Sequence, residues 1–168
     1  PIKVNLIVNE AIKLLRASLP STIQIRHKIE SDLTVRSDAT NIHQILMNLC
    51  TNSSYAMQAD GGILEVNLSD VELDSNFAGQ HPAVKPGKFI KLTVSDTGCG
   101  MSPEVSRRIF DPFFTTKKVG QGTGMGLSVV HGIVKSHGGA ITVDSLAGQG
   151  TTFSLFLPAT EAVSITPE

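Results

Sequence analysis

Glycine occupies every second position from Gly120 to Gly126, directly ahead of an apolar run. Repeated glycine lets backbone amides approach a ligand closely, and a helix that follows adds its free N–H groups and the positive end of its dipole. Such a segment can bind an anion, and a triphosphate group is the expected ligand. It matches neither standard phosphate motif: Gly87-Lys88 is followed by Phe89, not Ser or Thr, and G-x-G-x-G-x-G differs from G-x-G-x-x-G. A flexible surface linker is the alternative interpretation.

An aromatic and polar cluster precedes the glycines. Three of the seven phenylalanines of the chain lie within five residues: Phe110, Phe113 and Phe114. Aromatic side chains beside a glycine-rich loop either dock it as a lid or anchor its base in the core. Thr115, Thr116 and Lys117 come next, and their hydroxyl and ammonium groups suit contact with a terminal phosphate. For Lys117 a purely solvated position is an equal alternative.

The segment IHQILMNLCTNSSYAM predicts a helix with two amide side chains on the flank of its buried stripe. That stripe contains Ile42, Ile45, Leu46, Leu49, Ser53 and Ala56. Asn48 and Asn52 lie one turn apart on its flank, with Tyr55 nearby. An asparagine carbonyl oxygen together with nucleotide phosphates suits Mg²⁺, which keeps several waters. The alternative is that both amides are exposed or bond to a loop.

The stretch VSDTGCGM ends a predicted strand with a carboxylate. The two-residue period places Asp96 on the same side as the inward residues Ile90, Leu92 and Val94. An inward carboxylate needs donors, and the amino group of adenine supplies one. Two glycines and a methionine follow, which would let the chain pass close to the base and contact it: Gly98, Gly100 and Met101. Asp-x-Gly is also an ordinary turn sequence.

The pattern along the whole chain predicts an α+β fold, a two-layer sandwich with helices on one face of a mainly antiparallel sheet. Helices are expected at 4–18, 39–58, near 102–108 and from about 124 to 136. The last one is expected to stop at His137-Gly138-Gly139. Strands are expected at 63–69 and 88–96, with a hairpin at 23–35, an exposed loop at 74–88 and a closing hairpin at 140–158.

Composition sets wider limits. The 168 residues suit a single domain, and a net charge of −1 argues against nucleic acid as a partner. Cys50 and Cys99 are far apart in the sequence and do not belong to a cluster with the spacing of metal ligands. We therefore expect two reduced thiols in a cytoplasmic compartment and no disulfide. The sequence has neither a basic-then-apolar leader nor an apolar stretch of about 18 residues. We therefore expect this chain neither to span nor to contact a membrane. Because the chain begins at Pro1 without methionine, a fragment of a longer protein is expected.

Taken together, these residues resemble the ATP-binding domain shared by sensor histidine kinases, DNA gyrase and mismatch-repair ATPases, known as the Bergerat or GHKL fold. Four family boxes occur in order over roughly residues 5–158. The N box corresponds to Asn48–Asn52, the G1 box to Asp96–Gly100, the F box to Phe110–Phe114 and the G2 box to Gly120–Gly126. The strand start Gly150-Thr151-Thr152-Phe153 is similar to the family's closing strand. Residues 159–168 are predicted to form a disordered tail.

The resemblance implies a site for ATP and Mg²⁺, with Asp96 on the adenine amino group, Asn52 on the metal and the G2 box as part of a lid over the phosphates. The catalytic residues it predicts are Asn48, Thr116 and Lys117. The nucleotide-binding residues it predicts are Asn48, Asn52, Tyr55, Asp96, Gly98, Gly100, Met101, Phe113, Thr115, Thr116, Lys117, Gly120, Gly122, Thr123, Gly124, Met125, Gly126, Leu127 and Thr151.

Within the family, the F box followed by Thr-Thr-Lys and the sequence Gly-Thr-Gly-Met-Gly-Leu-Ser resemble a histidine kinase rather than a gyrase. ATPases of this fold hydrolyse with a glutamate at the position of Asn48, and an amide cannot accept a proton from water at neutral pH. Phosphoryl transfer to imidazole mainly needs positioning and charge neutralisation. A hydrolytic ATPase, a serine kinase and an inactive nucleotide-binding module remain the alternatives.

None of the five histidines precedes an acidic residue, as the family's acceptor histidine usually does. His131 is therefore interpreted as a surface or packing residue. The acceptor is expected on a histidine-bearing dimerisation domain of the same parent protein, with a response regulator receiver domain as the next partner. Since the sequence contains no dimerising element of this family, the fragment is expected to be monomeric. Whether the parent protein is anchored in a membrane is left open by the sequence.

Overall fold

The computed structural model describes residues 1–81, 84–111 and 126–160. Its strands are β1 (Ile2–Lys3), β2 (Ile23–Ile29), β3 (Thr34–Val35), β4 (Gly62–Leu73), β5 (Gly87–Asp96), β6 (Ala140–Leu146) and β7 (Gly150–Thr160). Its helices are α1 (Val4–Ser18), α2 (Ala39–Ala56), α3 (Ser75–Gln80), α4 (Pro103–Arg108) and α5 (Gly126–Ser136). In this part of the chain the strands form one sheet, ordered β1-β3-β7-β5-β4-β2, with β6 also paired to β7.

The main core lies between one face of this sheet and the helices α1, α2 and α5. On α1 the buried residues recur at helical spacing, from Val4 through Val8 and Ile12 to Leu15. Helix α2 begins where Asp38 accepts a hydrogen bond from the Thr40 amide at 2.9 Å. The predicted two-layer α+β sandwich is confirmed, and β2 with β4 is the parallel pair in an otherwise antiparallel described sheet.

A short helix, α3, packs on the opposite face of the sheet, where the sequence predicted an exposed loop. Its N-cap is Asp74, whose carboxylate accepts a hydrogen bond from the Phe77 amide at 2.9 Å. The Phe77 ring lies 5.0 Å from that of Phe156 and 4.4 Å from that of His81. A six-residue helix has little stability of its own. Its formation therefore depends on these tertiary contacts, which the local pattern did not show.

Residues 23–35 do not form the predicted hairpin. Strand β2 pairs in parallel with β4, whereas β3 pairs with β1 and with the far end of β7. The alternating pattern correctly predicted extended segments, but alternation does not specify which strand is the partner. The predicted domain end at Pro158 is also too early. Ala159 and Thr160 continue β7 and pair with β3, and residues 161–168 lie outside the described part.

The C-terminal stop of α5 is confirmed. Gly138 adopts a φ of +71°, a left-handed conformation, and the Gly139 amide donates to the Val134 carbonyl at 3.0 Å. The described helix begins at Gly126, so its predicted start near Gly124 lies outside the described residues. None of the helices within the described ranges has the length and hydropathy required to cross a lipid bilayer. Both cysteines are free.

Candidate functional site

Asp96 ends β5 on the face that points into the core, as the sequence period predicted. Its exposed fraction is only 6%, and it lies between Leu64 on β4 and Thr151 on β7 in the sheet register. One carboxylate oxygen accepts the Gly98 amide at 2.9 Å. Burial raises the pKa of the carboxyl, and the Gly98 amide, the Ser53 hydroxyl and the Thr151 amide oppose that rise. The Asp96 carboxylate is therefore a buried acceptor that can accept a further hydrogen bond from a ligand.

The turn after Asp96 requires glycine for packing reasons. A Cβ on Gly98 would lie 2.7 Å from the Ala56 carbonyl oxygen at the end of α2, and the Cys99 amide donates to that same oxygen at 3.1 Å. Gly100 has a φ of +67°, and a Cβ there would overlap the Leu146 carbonyl. The turn is therefore held between the end of α2 and the β6–β7 turn.

A serine on β6, missed in the sequence, ties this turn to Thr151. Ser145 Oγ accepts the Met101 amide at 2.8 Å and lies 2.8 Å from Thr151 Oγ1 and 3.2 Å from the Gly150 carbonyl oxygen. A hydroxyl has a single hydrogen to donate, so it serves either the carbonyl or Thr151. Ser145 and Thr151 face each other in the hairpin register. That register is the signal that would have revealed Ser145.

The amides of α2 lie at the edge of the core, as predicted. Asn48 is half-buried, and its Nδ2 donates to the Gly126 carbonyl at 3.2 Å. This bond joins α2 to the first described residue of α5. Asn52, one turn further along, and Tyr55 are also half-buried. The N box and Gly126, the last residue of the G2 box, are therefore in direct contact.

Among the described residues, no group of three or more His, Cys, Asp or Glu side chains could hold a metal ion. The predicted metal ligand, Asn52, is half-buried on α2 and carries an amide oxygen. This fits Mg²⁺, which is usually bound through very few protein oxygens together with substrate phosphates and water.

Phe110 and His131 join the end of α4 to α5. Their ring centroids are 5.1 Å apart with an interplanar angle of 31°. Burial lowers the pKa of His131, and the nearby Lys135 charge lowers it further. A half-buried ring tilted against a phenylalanine is consistent with the interpretation of His131 as a packing residue. Leu127, on the same helix, packs against the main core.

Several predicted site residues lie outside the described part of the chain, and their roles stay predictions. They are Phe113, Thr115, Thr116, Lys117, Gly120, Gly122, Thr123, Gly124 and Met125. The described ones fall into two linked groups. The Asp96 turn, Met101 and Thr151 meet through hydrogen bonds, and Asn48 meets Gly126. Helix α2 connects the two groups, because it carries Asn48 and its last residue binds the turn.

Comparison with known proteins agrees with this geometry. Residues 37–161 match the family model described as histidine kinase-, DNA gyrase B-, and HSP90-like ATPase. The chain is 40% identical over 124 residues to the sensor kinase CckA of Brucella abortus, covering 74% of this chain and 13% of that protein. It is 35% identical over 161 residues to the sensor histidine kinase ZraS of Escherichia coli K12, covering 94% of this chain and 30% of that protein.

The fold also matches solved structures. The catalytic domain of the histidine kinase ThkA superimposes with a TM-score of 0.74 at 28% identity, over 94% of this chain and 93% of that one. This chain thus spans less than a third of the length of these two curated relatives, but nearly the full length of the solved catalytic domain. The family match covers the amide helix, the Asp96 turn and the closing strand. The chain belongs to the histidine kinase-, DNA gyrase B- and HSP90-like ATPase family, whose members bind ATP.

Proposed function

We propose that this chain is the ATP-binding catalytic domain of a two-component sensor histidine kinase. It transfers the γ-phosphoryl group of ATP to a histidine on a dimerisation domain of the same parent protein, for relay to a response regulator receiver domain. The observation that carries the proposal is the buried Asp96 carboxylate, held by the Gly98 amide at the end of the core-facing strand. An acceptor in that position favours a ligand that carries a hydrogen-bond donor, and the amino group of adenine is such a donor.

The described residues have distinct roles in this proposal. Asp96 accepts a hydrogen bond from the adenine amino group, and Thr151, fixed by Ser145, supports the same end of the base. Asn52 supplies an amide oxygen to Mg²⁺, which when bound neutralises phosphate charge. Asn48 fixes the start of α5 through the Gly126 carbonyl. The phosphate contacts are assigned to the predicted segment that contains Thr116 and Lys117.

The transfer step needs no base from this chain. A ring nitrogen of the acceptor imidazole attacks the γ-phosphorus with its own lone pair, the bond from that phosphorus to the bridging oxygen breaks, and ADP leaves with the electron pair. Hydrolysis would instead require a base to take a proton from water. Asn48 cannot serve, because it is an amide and its N–H group is directed to the Gly126 carbonyl. This favours the kinase over the hydrolytic alternative.

The test uses γ-labelled ATP, Mg²⁺ and a purified acceptor, the dimerisation domain of the ZraS relative. Acid-labile, base-stable label on that domain supports the proposal, and the same domain with its acceptor histidine replaced by alanine is the matched control. Acid-stable label would identify a serine kinase. Steady release of inorganic phosphate without label would identify a hydrolase. ATP binding with neither product would identify an inactive nucleotide-binding module. Sedimentation of the isolated chain tests the predicted monomer.

A further inference from the structure

Strand β2 lies at one end of the sheet and has a single pairing partner in the described part of the chain. It pairs with β4 residue for residue from Ile23 to Ile29, without a bulge or a proline. Its other side therefore presents a long row of backbone N–H and C=O groups that no described strand uses. Proteins usually keep such an edge short or distorted, because it can pair with another chain.

Two hydrogen bonds show which backbone groups of β2 face outward. The Gly62 amide donates to the Thr22 carbonyl at 3.2 Å, and the Glu30 amide donates to the Leu68 carbonyl at 2.8 Å. Alternate residues of a strand direct both of their backbone groups to the same side. In β2 the even-numbered residues therefore bond to β4, and the odd-numbered residues face outward. The outward residues are Ile23, Ile25, His27 and Ile29.

The side chain of Arg16, from α1, agrees with this direction and covers the edge at one carbonyl. Its Nη2 donates to the Ile25 carbonyl at 3.3 Å and lies 3.3 Å from Nδ1 of His27. Both distances are slightly longer than those of a typical hydrogen bond from nitrogen, and the Arg16 and His27 side chains are exposed. An incoming strand can therefore displace the guanidinium from the carbonyl and keep it nearby as a positive charge.

The side chains beside the edge are basic. Strand β2 carries Arg26 and Lys28 and has no acidic residue, and Arg16 adds a third exposed cation. The neighbouring acids already have contacts: Glu30 lies 3.3 Å from the Lys28 ammonium, and Glu65 on β4 accepts a side-chain hydrogen bond at 2.7 Å. The edge therefore favours an acidic partner. It disfavours a second copy of itself, since pairing two β2 edges would bring like charges together.

We propose that this edge binds an extended, acidic segment of a partner protein, which adds a strand to the sheet beside β2. A polypeptide suits the edge because it offers donors and acceptors in alternation, whereas the phosphate oxygens of a nucleic acid only accept. Main-chain bonds give such an interaction its affinity, and side chains give it specificity. Acidic side chains at every second position would lie beside Arg26 and Lys28, which share the solvent-facing side of β2. The proposal requires no nucleotide, so its failure would leave the proposed function unaffected.

The experiment titrates the ¹⁵N-labelled chain, at low salt and without nucleotide, with a short peptide of alternating glutamate and valine, and follows amide hydrogen exchange at each residue. In the free chain the outward amides of Ile25, His27 and Ile29 should exchange faster than the β4-facing amides of Arg26 and Lys28. Saturating peptide should slow the outward amides at least about fivefold. The matched control peptides have lysine in place of glutamate, or N-methyl groups on the amides that would face β2.

Variants of the chain test the backbone and charge contributions separately. His27→Pro removes an outward N–H without removing a bond to β4, and His27→Ala, its control, loses the side chain but keeps that N–H. We expect His27→Pro to bind the acidic peptide at least about fivefold more weakly than His27→Ala. Arg26→Glu combined with Lys28→Glu, at two exposed positions, should reverse the preference between the acidic and the lysine peptides. This charge reversal keeps the test decisive if the proline variant fails to fold.

Saturable binding of the acidic peptide that protects the outward β2 amides, and that is lost on N-methylation, supports the proposal. Equal binding of either control peptide would overturn it, as would the absence of saturable binding. Protection of β6, which also has a single partner in the described sheet, would place the contact at another edge and overturn it as well. Self-association of the free chain with protected β2 amides would identify a second copy as the occupant and contradict the assigned partner.

Discussion

Replacing Asp96 by asparagine changes the acceptor at the centre of the site with almost no change in shape. The asparagine carbonyl oxygen can keep the bond from the Gly98 amide, which is 2.9 Å long in the native chain. The other carboxylate oxygen then becomes an NH₂ group, which faces the adenine amino group as a second donor. ATP therefore loses a hydrogen bond to a charged acceptor and leaves a buried donor unpaired.

A lost bond of this kind weakens binding by about 1 to 3 kcal/mol, which is a factor of about 5 to 150 in the dissociation constant. Titration calorimetry with Mg-ATP measures the change, and ADP serves as a second ligand because it carries the same base. Both nucleotides should lose affinity by the same factor, since the substitution lies at the adenine end. Unchanged affinity would refute the assignment of Asp96 to the base.

The same variant makes a second, opposite prediction for stability. Because burial raises the pKa of Asp96 above its value in the unfolded chain, the unfolded state ionises first, and stability falls as the pH rises through the two pKa values. Above both values the folded protein carries the cost of a buried charge, which asparagine does not carry. Asp96→Asn should therefore melt no lower than the wild type at neutral pH. A lower melting temperature there would show that the carboxylate serves mainly to stabilise the fold.

Three further predictions follow from the site and its supports. Gly100→Ala should lower the free energy of unfolding by at least about 2 kcal/mol, since a Cβ there meets backbone at positive φ, whereas Gly79→Ala, in open space, should be nearly neutral by chemical denaturation. Cys99 is exposed, whereas Cys50 is buried and burial raises its pKa to about 12. A thiol reagent should therefore label only Cys99 in the folded chain, and more slowly when Mg-ATP is bound. Equal labelling of both thiols in the folded chain would contradict this. Asn48→Ala should cost about 0.5 to 1.5 kcal/mol of stability through its lost bond to α5, and an unchanged denaturation midpoint would show that this bond is unimportant.

The sequence was most informative where a short-range period determines the direction of a side chain. Asp96 follows Ile90, Leu92 and Val94 on one face of a strand, and all four are buried as the period requires. Asn48 lies on the flank of the α2 stripe, where it reaches α5. In these cases the relevant neighbours lie within one element.

The sequence was least informative where contacts join distant parts of the chain. Ser53 was assigned to the core stripe correctly, but the contact of the end of α2 with the Asp96 turn, from the Ala56 carbonyl to the Cys99 amide, depends on how α2 sits on the sheet. Ser145 meets Thr151 only through the hairpin register. The error at 23–35 has the same origin, because the partner of each strand lies far along the chain. Glycine at position 98 was attributed to the ligand, whereas the structure adds the Ala56 carbonyl as a reason.

The most direct test of the account locates the nucleotide by amide chemical-shift changes in the ¹⁵N-labelled chain on titration with Mg²⁺ and a non-hydrolysable ATP analogue. The largest changes are expected at the Asp96 turn, at Thr151 and at Gly126. A separate groove of about 380 Å³, lined by Lys85, Lys88 and His137 among others, provides an internal comparison. Changes concentrated at that groove, or none at the Asp96 turn at saturating analogue, would contradict the account.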